Sequence, residues 1–446
     1  MNFPFSDTSP VSFAGPLPPA CDVVIIGGGV IGVMTAWFLA ERGIKVVICE
    51  KGRIAGEQSS RNWGWIRQQG RDPAELPIMV ESLRIWKTLA QEMGEGLGFR
   101  QTGVMYLANT ARDMAGFEAW LPHARAHGVD TRLMTRAEVA TTLRGAAAPW
   151  PGALFTASDA RAEPWVAVPL LATGAVARGV TIVERCAVRA LDVAAGRVAG
   201  VVTEHGRIAC DQVVVAAGAW SRLFLGAQGV RIPQLSVLAS VAATEPMAEI
   251  YPGAAADNDF AFRRRVDGGY SLAPGAAHDF FIGRDAVTSF GTYLPVLKKD
   301  IRSTRFRAMA PNGFPDAWGT PRRWAGDEVS PFERMRVLNP APNMATLHRV
   351  QAAFGAAFPG LRVPRFKAAW AGMIDTMPDV VPVVDLAPIP GLVIATGLSG
   401  HGFGIGPGIG RVVADLVAGN AVGHDLGRFR LSRFSDGSKI APGPSL

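Results

Sequence analysis

Residues 22–50 read DVVIIGGGVIGVMTAWFLAERGIKVVICE, and the fold prediction rests on this segment. Its β-branched start, residues 22–26, predicts a buried strand that ends at a glycine turn. Met, Ala and Leu then replace the β-branched residues and predict a helix that closes near Gly43, and residues 44–49 predict a second buried strand. The apolar run is as long as a short membrane span, but the glycines interrupt it after one strand. We therefore predict a parallel β-α-β unit.

Three glycines of this unit, Gly27, Gly29 and Gly32, have the spacing G-x-G-x-x-G between strand and helix. Backbone N–H groups and the helix N-terminus can bind a pyrophosphate at such a turn. Glu50 ends the second strand, where an acid accepts a hydrogen bond from a ribose hydroxyl. No second copy of this spacing occurs, although a flavoenzyme that oxidises bound NAD(P)H usually needs one. The pattern predicts one tightly bound FAD that the substrate itself reduces.

Composition limits the class of protein and the kinds of ligand that the chain can bind. The chain has 446 residues with 48% hydrophobic and 19% charged residues, which favours two globular domains over disorder or a coiled coil. A net charge of +7 is too mild to indicate nucleic-acid binding and suits an anionic substrate. The four cysteines are scattered, which favours a reducing cytoplasmic setting. His123 and His127 have no third ligand nearby in sequence, so we expect no metal.

Two further segments extend the similarity of the chain beyond the fingerprint. GEQSSRNWGWIRQQGRDP occupies residues 56–73, and GLSGHGFGIGPGIG occupies residues 397–410. Together with the fingerprint they resemble the superfamily of D-amino-acid oxidase, glycine oxidase and sarcosine oxidase, and most closely its bacterial amino-acid dehydrogenases and deaminases. The resemblance implies an α/β fold in which a Rossmann-like FAD-binding domain is interleaved with a mixed-sheet α+β substrate domain.

The domain boundaries follow from this layout. We assign residues 21–105, 160–232 and 366–430 to the FAD-binding domain and residues 106–159 and 233–365 to the substrate domain. Residues 392–417 predict a second strand-glycine-helix element that returns to the first sheet. Residues 1–20 lack the basic start of a signal peptide and contain several prolines, so we expect them, like residues 431–446, to form loose tails.

The resemblance also implies which residues bind the cofactor. Ser59, Ser60 and Arg61 would lie along the flavin edge and the pyrophosphate, and Val188 would hold the adenine through its backbone. The 400–403 segment would approach the flavin pyrimidine, where a helix N-terminus favours negative charge. Asn62 stands in the loop where some relatives carry a flavin-linking histidine, so we expect non-covalent FAD. The full predicted set is Gly27, Gly29, Val30, Ile31, Gly32, Glu50, Lys51, Ser59, Ser60, Arg61, Asn62, Trp63, Val188, Ala217, Gly218, Gly400, His401, Gly402 and Phe403.

For the substrate carboxylate we expect a buried arginine. Of the consecutive residues 263–265 on a predicted strand, Arg264 shares its face with Phe262 and Val266 and is therefore predicted to be the buried one. Trp370 is a candidate for the wall of the side-chain pocket or for the core. Trp370-Ala371-Gly372 is not followed by the arginine of glycine oxidase, which argues against glycine-sized specificity. By resemblance, Gln68 and Gln234 are polar candidates for the same cavity.

The predicted activity is FAD-dependent oxidative deamination of an amino acid to a 2-oxo acid and ammonia, by hydride transfer to flavin N5. The alternative is oxidation of N-methyl or cyclic secondary amines, as in sarcosine oxidase; a flavin-dependent nucleic-acid-modifying protein is disfavoured. The electron acceptor is O2 or a respiratory quinone. Residues 297–336 are basic with interleaved aromatic side chains, and they predict a solvated insertion, a cover over the active site, or peripheral contact with the inner face of the cell membrane.

Overall fold

The computed structural model describes residues 5–301 and 303–443. The strands are β1 Val23–Ile26, β2 Val46–Glu50, β3 Trp65–Ile66, β4 Arg100–Gln101, β5 Val104–Leu107, β6 Thr131–Thr135, β7 Gly152–Thr156, β8 Ala160–Arg161, β9 Thr181–Glu184, β10 Val188–Ala194, β11 Arg197–Thr203, β12 Gly206–Ala209, β13 Gln212–Val215, β14 Leu235–Thr244, β15 Ala254–Ala256, β16 Ala261–Arg264, β17 Tyr270–Ala273, β18 His278–Phe281, β19 Thr304–Arg307, β20 Phe366–Thr376, β21 Val383–Leu386 and β22 Leu392–Thr396. The helices are α1 Val30–Ala40, α2 Gln58–Arg61, α3 Leu76–Met93, α4 Ala111–Ala126, α5 Arg136–Thr142, α6 Pro164–Ala177, α7 Ser221–Ala227, α8 Arg284–Thr288, α9 Phe290–Asp300, α10 Pro331–Arg334, α11 Met344–Ala357 and α12 Gly402–Ala418.

A six-stranded sheet contains the predicted β-α-β unit. Its order is β21-β22-β13-β1-β2-β9, and β1 pairs in parallel with both β2 and β13. The C-terminal strand β22 lies parallel to β13, so the end of the chain returns to the first sheet as predicted. Because both faces of this sheet are covered, its strands are continuous apolar runs and not alternating ones.

Helix α12 packs against both α1 and α3, and its glycines permit this close approach. A Cβ at Gly406 would lie 2.7 Å from a methyl group of Val30, and one at Gly410 would lie 2.6 Å from the Cβ of Met34. No side chain fits between backbones at that spacing. The glycine-rich sequence of α12 thus brings its N-terminus to the same edge of the sheet as the N-terminus of α1.

A larger mixed sheet forms the second part of the molecule. Its path is β19-β18-β14-β17-β16-β15-β5-β7-β6, and β20 pairs antiparallel with β14 from Leu235 to Thr244. Helix α11 covers one face of this sheet through a cluster of aromatic rings. Strand β20 therefore joins the larger sheet, although the sequence analysis placed residues 366–376 with the FAD-binding segments.

Both chain ends are tied to the fold, so the prediction of loose tails is wrong within the described residues. The backbone N–H groups of Ser12 and Phe13 donate to Glu184, and the carbonyl of Ser9 accepts from Arg53. Near the other end, Arg433 forms a buried ion pair with Asp379. Main-chain carbonyls and buried ion pairs of this kind leave no sequence signature.

The described residues contain neither a membrane-spanning helix nor a metal-binding cluster. No helix among residues 5–301 and 303–443 is long and apolar enough to cross a membrane. Over the same residues, no group of three His, Cys, Asp or Glu side chains is arranged to hold a metal ion. The four cysteines are free.

Candidate active site

A cavity of about 360 Å³ lies at the edge of the six-stranded sheet where β1 and β2 end. It extends from the turn before α1 to the N-terminus of α12. Clefts at the carboxyl ends of parallel strands are the usual ligand sites of such sheets. All residues of the predicted cofactor set except Gly32 and Ser60 line this cavity.

The glycine turn leaves room for a ligand at the start of α1. Gly27 has φ +110°, and a Cβ there would lie 2.5 Å from the carbonyl oxygen of Ala216. Gly32 packs against the turn and does not line the cavity, because a Cβ at this position would lie 2.1 Å from the carbonyl oxygen of Gly27. The turn is thus closed on the protein side and open on the cavity side, as a pyrophosphate requires.

Glu50 is fixed at the end of β2 beside this turn. Its carboxylate accepts hydrogen bonds of 2.7 Å from the backbone N–H groups of Gly28 and Gly52. Burial raises the pKa of Glu50 to about 7. The neighbouring Lys51 side chain lies over the ring of Trp220, 4.4 Å from its centroid. The lining of this end, an acid followed by flat apolar surface, fits a ribose and an adenine.

The loop after β2 uses its polar side chains in two ways. The hydroxyl of Ser59 accepts from the backbone N–H of Val30 at 2.9 Å, so it caps α1 at the cavity. Ser60 is fully buried and donates to the carbonyl of Glu57, so it does not reach the cavity. Arg61 lines the cavity, yet its guanidinium donates to protein acceptors that include Gly56 and Ala371. It joins segments of the chain, and burial lowers its pKa to about 10.

At the opposite end, the chain enters α12 through residues 397–402. Ser399 has φ +50°, which places the backbone of this turn towards the cavity. His401 is the N-cap residue of α12, and Gly402 and Phe403 form its first turn. The positive end of the helix dipole therefore points at the cavity, where it favours negative charge.

The prediction that Arg264 is the buried arginine of its strand is wrong. Arg263 is only 1% exposed and pairs with Glu163 at 2.8 Å, whereas Arg264 is partly exposed and Val266 is 59% exposed. Arg264 shares its face with Phe262, but that face packs against α11 and not against the cavity. Both faces of β16 are covered, so an apolar neighbour does not identify the face that a ligand contacts.

The three other substrate-site candidates lie just outside the cavity. The amide of Gln68 donates to Ser158 and Asp159. Gln234 donates to Asp375 and Thr396, two residues that do line the cavity, so it braces the wall. Trp370 is 3% exposed and donates to the carbonyl of Arg61.

Two arginines that the sequence analysis did not select line the cavity instead. The guanidinium of Arg67 lies 5.4 Å from the ring centroid of Tyr106 and donates to the carbonyl of Gln69. Its Nε and Nη2 donate to no described residue. Arg71 is 2% exposed, and its Nη1 has no hydrogen-bond partner among the described residues. Both arginines belong to the 56–73 segment. Their position in this motif was the sequence signal that could have selected them as cavity residues.

These features define an FAD-dependent oxidoreductase: one dinucleotide fingerprint, a cavity that runs from it to a second helix N-terminus, and cationic side chains beyond. The residues present fit FAD, because the glycine turn, Glu50 and the α12 N-terminus line one continuous space. The chain belongs to the DAO family of FAD dependent oxidoreductases, whose family model matches residues 22–416.

Individual relatives cover nearly the whole chain. Sarcosine oxidase subunit beta of Rhizobium meliloti is 28% identical over 95% of this chain and 90% of its own length. The structure of L-amino acid deaminase from Proteus myxofaciens, in complex with anthranilate, is 32% identical with a TM-score of 0.89 and covers 95% of this chain and 96% of that one. L-proline dehydrogenase from P. horikoshii shares the fold, with 24% identity, a TM-score of 0.77, and coverage of 95% of this chain and 100% of that one.

Proposed function

We propose that the protein oxidatively deaminates an amino acid to a 2-oxo acid and ammonia. FAD, when bound, supplies the acceptor for the hydride that leaves Cα. The observation that carries the proposal is the pair Arg67 and Arg71, which line the same cavity as the flavin-end residues and keep guanidinium donors that no described residue uses. Paired arginine donors suit a carboxylate, since charge-assisted hydrogen bonds to it are strong and directional.

Each of these groups has one task in the proposed reaction. Arg67 is held flat by Tyr106 and by the carbonyl of Gln69, so it offers its remaining donors without losing much side-chain freedom. Trp63 and Trp65 pack at 5.2 Å from each other in the same lining and exclude water from the reacting carbon. The site thus supplies orientation, a carboxylate clamp and a dry surface. The complex of the Proteus myxofaciens deaminase with anthranilate, an aromatic carboxylate, supports a carboxylate subsite by similarity.

The test is an anaerobic titration of the FAD-loaded protein with D-amino acids, L-amino acids and N-methyl amines. We expect one stereochemical series of primary amino acids to bleach the visible flavin absorbance and to release ammonia in equal amount. Bleaching by secondary amines alone, with formaldehyde or a ring imine as the product, would replace this proposal with the sarcosine oxidase alternative. The full-length similarity to sarcosine oxidase subunit beta is the observation that favours that alternative.

The electron acceptor we propose is a membrane quinone, with O2 as the alternative. Six exposed apolar side chains lie on α8, on α9 and in the segment that follows, and are here called the apolar patch: Val287, Phe290, Leu294, Ile301, Phe306 and Met309. Exposed Lys298 and Arg307 flank it. Of the aromatic residues in 297–336, Phe314 and Phe332 are buried in the core, whereas Phe306 and Trp318 are exposed. Apolar and basic residues together suit an anionic bilayer.

Sedimentation with vesicles tests this contact. We expect wild-type protein to bind vesicles that contain phosphatidylglycerol, and the double variant Phe290→Ser with Leu294→Ser to lose binding while its substrate-dependent flavin bleaching is unchanged. Val266→Ser removes an exposed apolar residue elsewhere and is the control. Equal sedimentation of both variants would exclude the apolar patch, and turnover with O2 as fast as with quinone would favour an oxidase.

A further inference from the structure

A fully buried carboxylate, Glu75, has an unusual environment next to the cavity. It precedes α3, is 0% exposed, and neither of its oxygens accepts a hydrogen bond from a described residue. The nearest charged or titratable partner is the imidazole of His401, with Nδ1 3.5 Å from Oε2. An ionised carboxylate in such a place is costly unless nearby charge compensates it. The ionisation of Glu75 therefore depends on the groups that surround His401.

The charges that face this pair come from two sides. Arg67 and Arg71 lie in the loop that leads into α3, and on the other side is the N-terminus of α12, whose first charged residue is Arg411. Burial and then the charge of Arg71 lower the pKa of His401 to about 4. Burial opposes ionisation of Glu75, but its contacts with His401 and Arg71 leave its pKa below the ordinary value. These pKa shifts favour an ionised Glu75 beside a neutral His401 whose Nδ1 faces the carboxylate.

His401 is also part of the cavity wall. It stands between Gly400 and Gly402 at the end where the α12 N-terminus favours negative charge, and its side chain remains 20% exposed. Nε2 has no hydrogen-bond partner among the described residues. A negative charge that arrives at this end would offset the cations and allow the imidazole to charge.

We propose that His401 takes up a proton at Nε2 when bound FAD is reduced, and that Glu75 is the positioning residue that makes this uptake possible. Two electrons and one proton go to the flavin ring and leave one negative charge at its pyrimidine edge, and a second proton passes from solvent to Nε2 of His401. The ionised Glu75 then stabilises the imidazolium through Nδ1–H. The inference requires bound FAD only and does not depend on the substrate.

Glu81 offers a matched control on the same helix. It pairs with His424 at 2.5 Å and with Arg411, so it is a second Glu–His pair on α3, but neither Glu81 nor His424 lines the cavity. Glu81→Gln therefore removes the same kind of interaction away from the flavin end.

The experiment measures the flavin midpoint potential of the FAD-loaded protein from pH 5 to 6.5, by equilibration with redox dyes and without substrate. Two protons per two electrons give a slope of about 60 mV per pH unit, since each proton contributes about 30 mV for a two-electron couple. The absorption spectrum of the reduced flavin, recorded at the same pH values, shows whether the second proton is on the flavin or on the protein. We expect the full slope with an anionic reduced flavin for wild type and Glu81→Gln. For Glu75→Gln and His401→Gln we expect either about half the slope or a neutral reduced flavin, with partial recovery in Glu75→Asp.

Two results would overturn the inference. One is a slope of about 30 mV per pH unit, or a neutral reduced flavin, in the wild type, and the other is a full slope with an anionic reduced flavin in Glu75→Gln. If Glu75→Gln fails to fold, His401→Gln provides the same comparison at a partly exposed position. Failure of amino acids to bleach the flavin would refute the proposed function and leave this measurement unaffected.

Discussion

Replacing Arg67 with methionine tests the proposed carboxylate clamp, because methionine keeps the volume and removes the donors. Nε and Nη2 are available to a carboxylate, and a hydrogen bond to a charged group contributes about 1.5–3 kcal/mol, so the loss of two such bonds amounts to about 3–6 kcal/mol. Arg71 remains and can recover part of it. At about 1.4 kcal/mol per factor of ten, we expect kcat/KM to fall by about 100-fold or more.

Arg264 provides a close control. Its guanidinium lies 4.9 Å from the ring of Tyr270 and donates to the carbonyl of Met247, which reproduces the surroundings of Arg67 outside the cavity. We expect Arg264→Met to change kcat/KM less than about 2-fold. The assay is stopped-flow flavin reduction, with the affinity for anthranilate and for aniline measured from the flavin spectrum. Arg67→Met should weaken the binding of anthranilate and leave the binding of aniline unchanged. Equal effects of the two variants, or an Arg67→Met enzyme within about 3-fold of wild type, would refute the reasoning.

Three further outcomes concern stability of the FAD-loaded protein. Gly410→Ala places a Cβ against Met34 and should lower the free energy of unfolding by about 1–3 kcal/mol. Gly226→Ala places its Cβ in open space and should leave the free energy of unfolding unchanged or raise it. Urea titration compares the two variants. Glu163→Gln leaves Arg263 buried without its counter-ion and should cost about 3–5 kcal/mol in the same titration. The pKa of His401 in the folded protein, about 4, lies below the ordinary 6.5, so the unfolded chain binds the proton first. The stability of the folded protein therefore falls as the pH drops from about 6.5 towards 4. Thermal melts of His401→Gln should show a shallower fall in stability over that window, and an unchanged fall would contradict the assignment.

Local spacing was sufficient to predict much of the cofactor half. The strand, glycine turn, helix and acid of residues 22–50 lie within one β-α-β unit, so their sequence order is also their order in space. The C-terminal glycine helix was placed correctly for a similar reason, since a strand followed by a helix has few ways to join a parallel sheet. The family resemblance extended this to residues 59–63 and 400–403, nearly all of which line the cavity.

The substrate half was less predictable because it depends on which face of an element meets the cavity. Alternation along β16 correctly separated Arg264 from Arg263, but it could not show that α11 covers the face of Arg264. Gln68 and Gln234 were plausible cavity residues by resemblance, yet their amides are used to hold Asp159 and Asp375. Hydrogen bonds between distant segments decide such cases.

The dinucleotide fold, the FAD cofactor and the family could be predicted without the structure, because they depend on residues close together in the chain or on whole motifs. Tertiary structure alone decided which arginines face the cavity and that Glu75 meets His401. The physical reason is that burial and charge pairing depend on what packs against each face, and the partners come from distant segments of the chain.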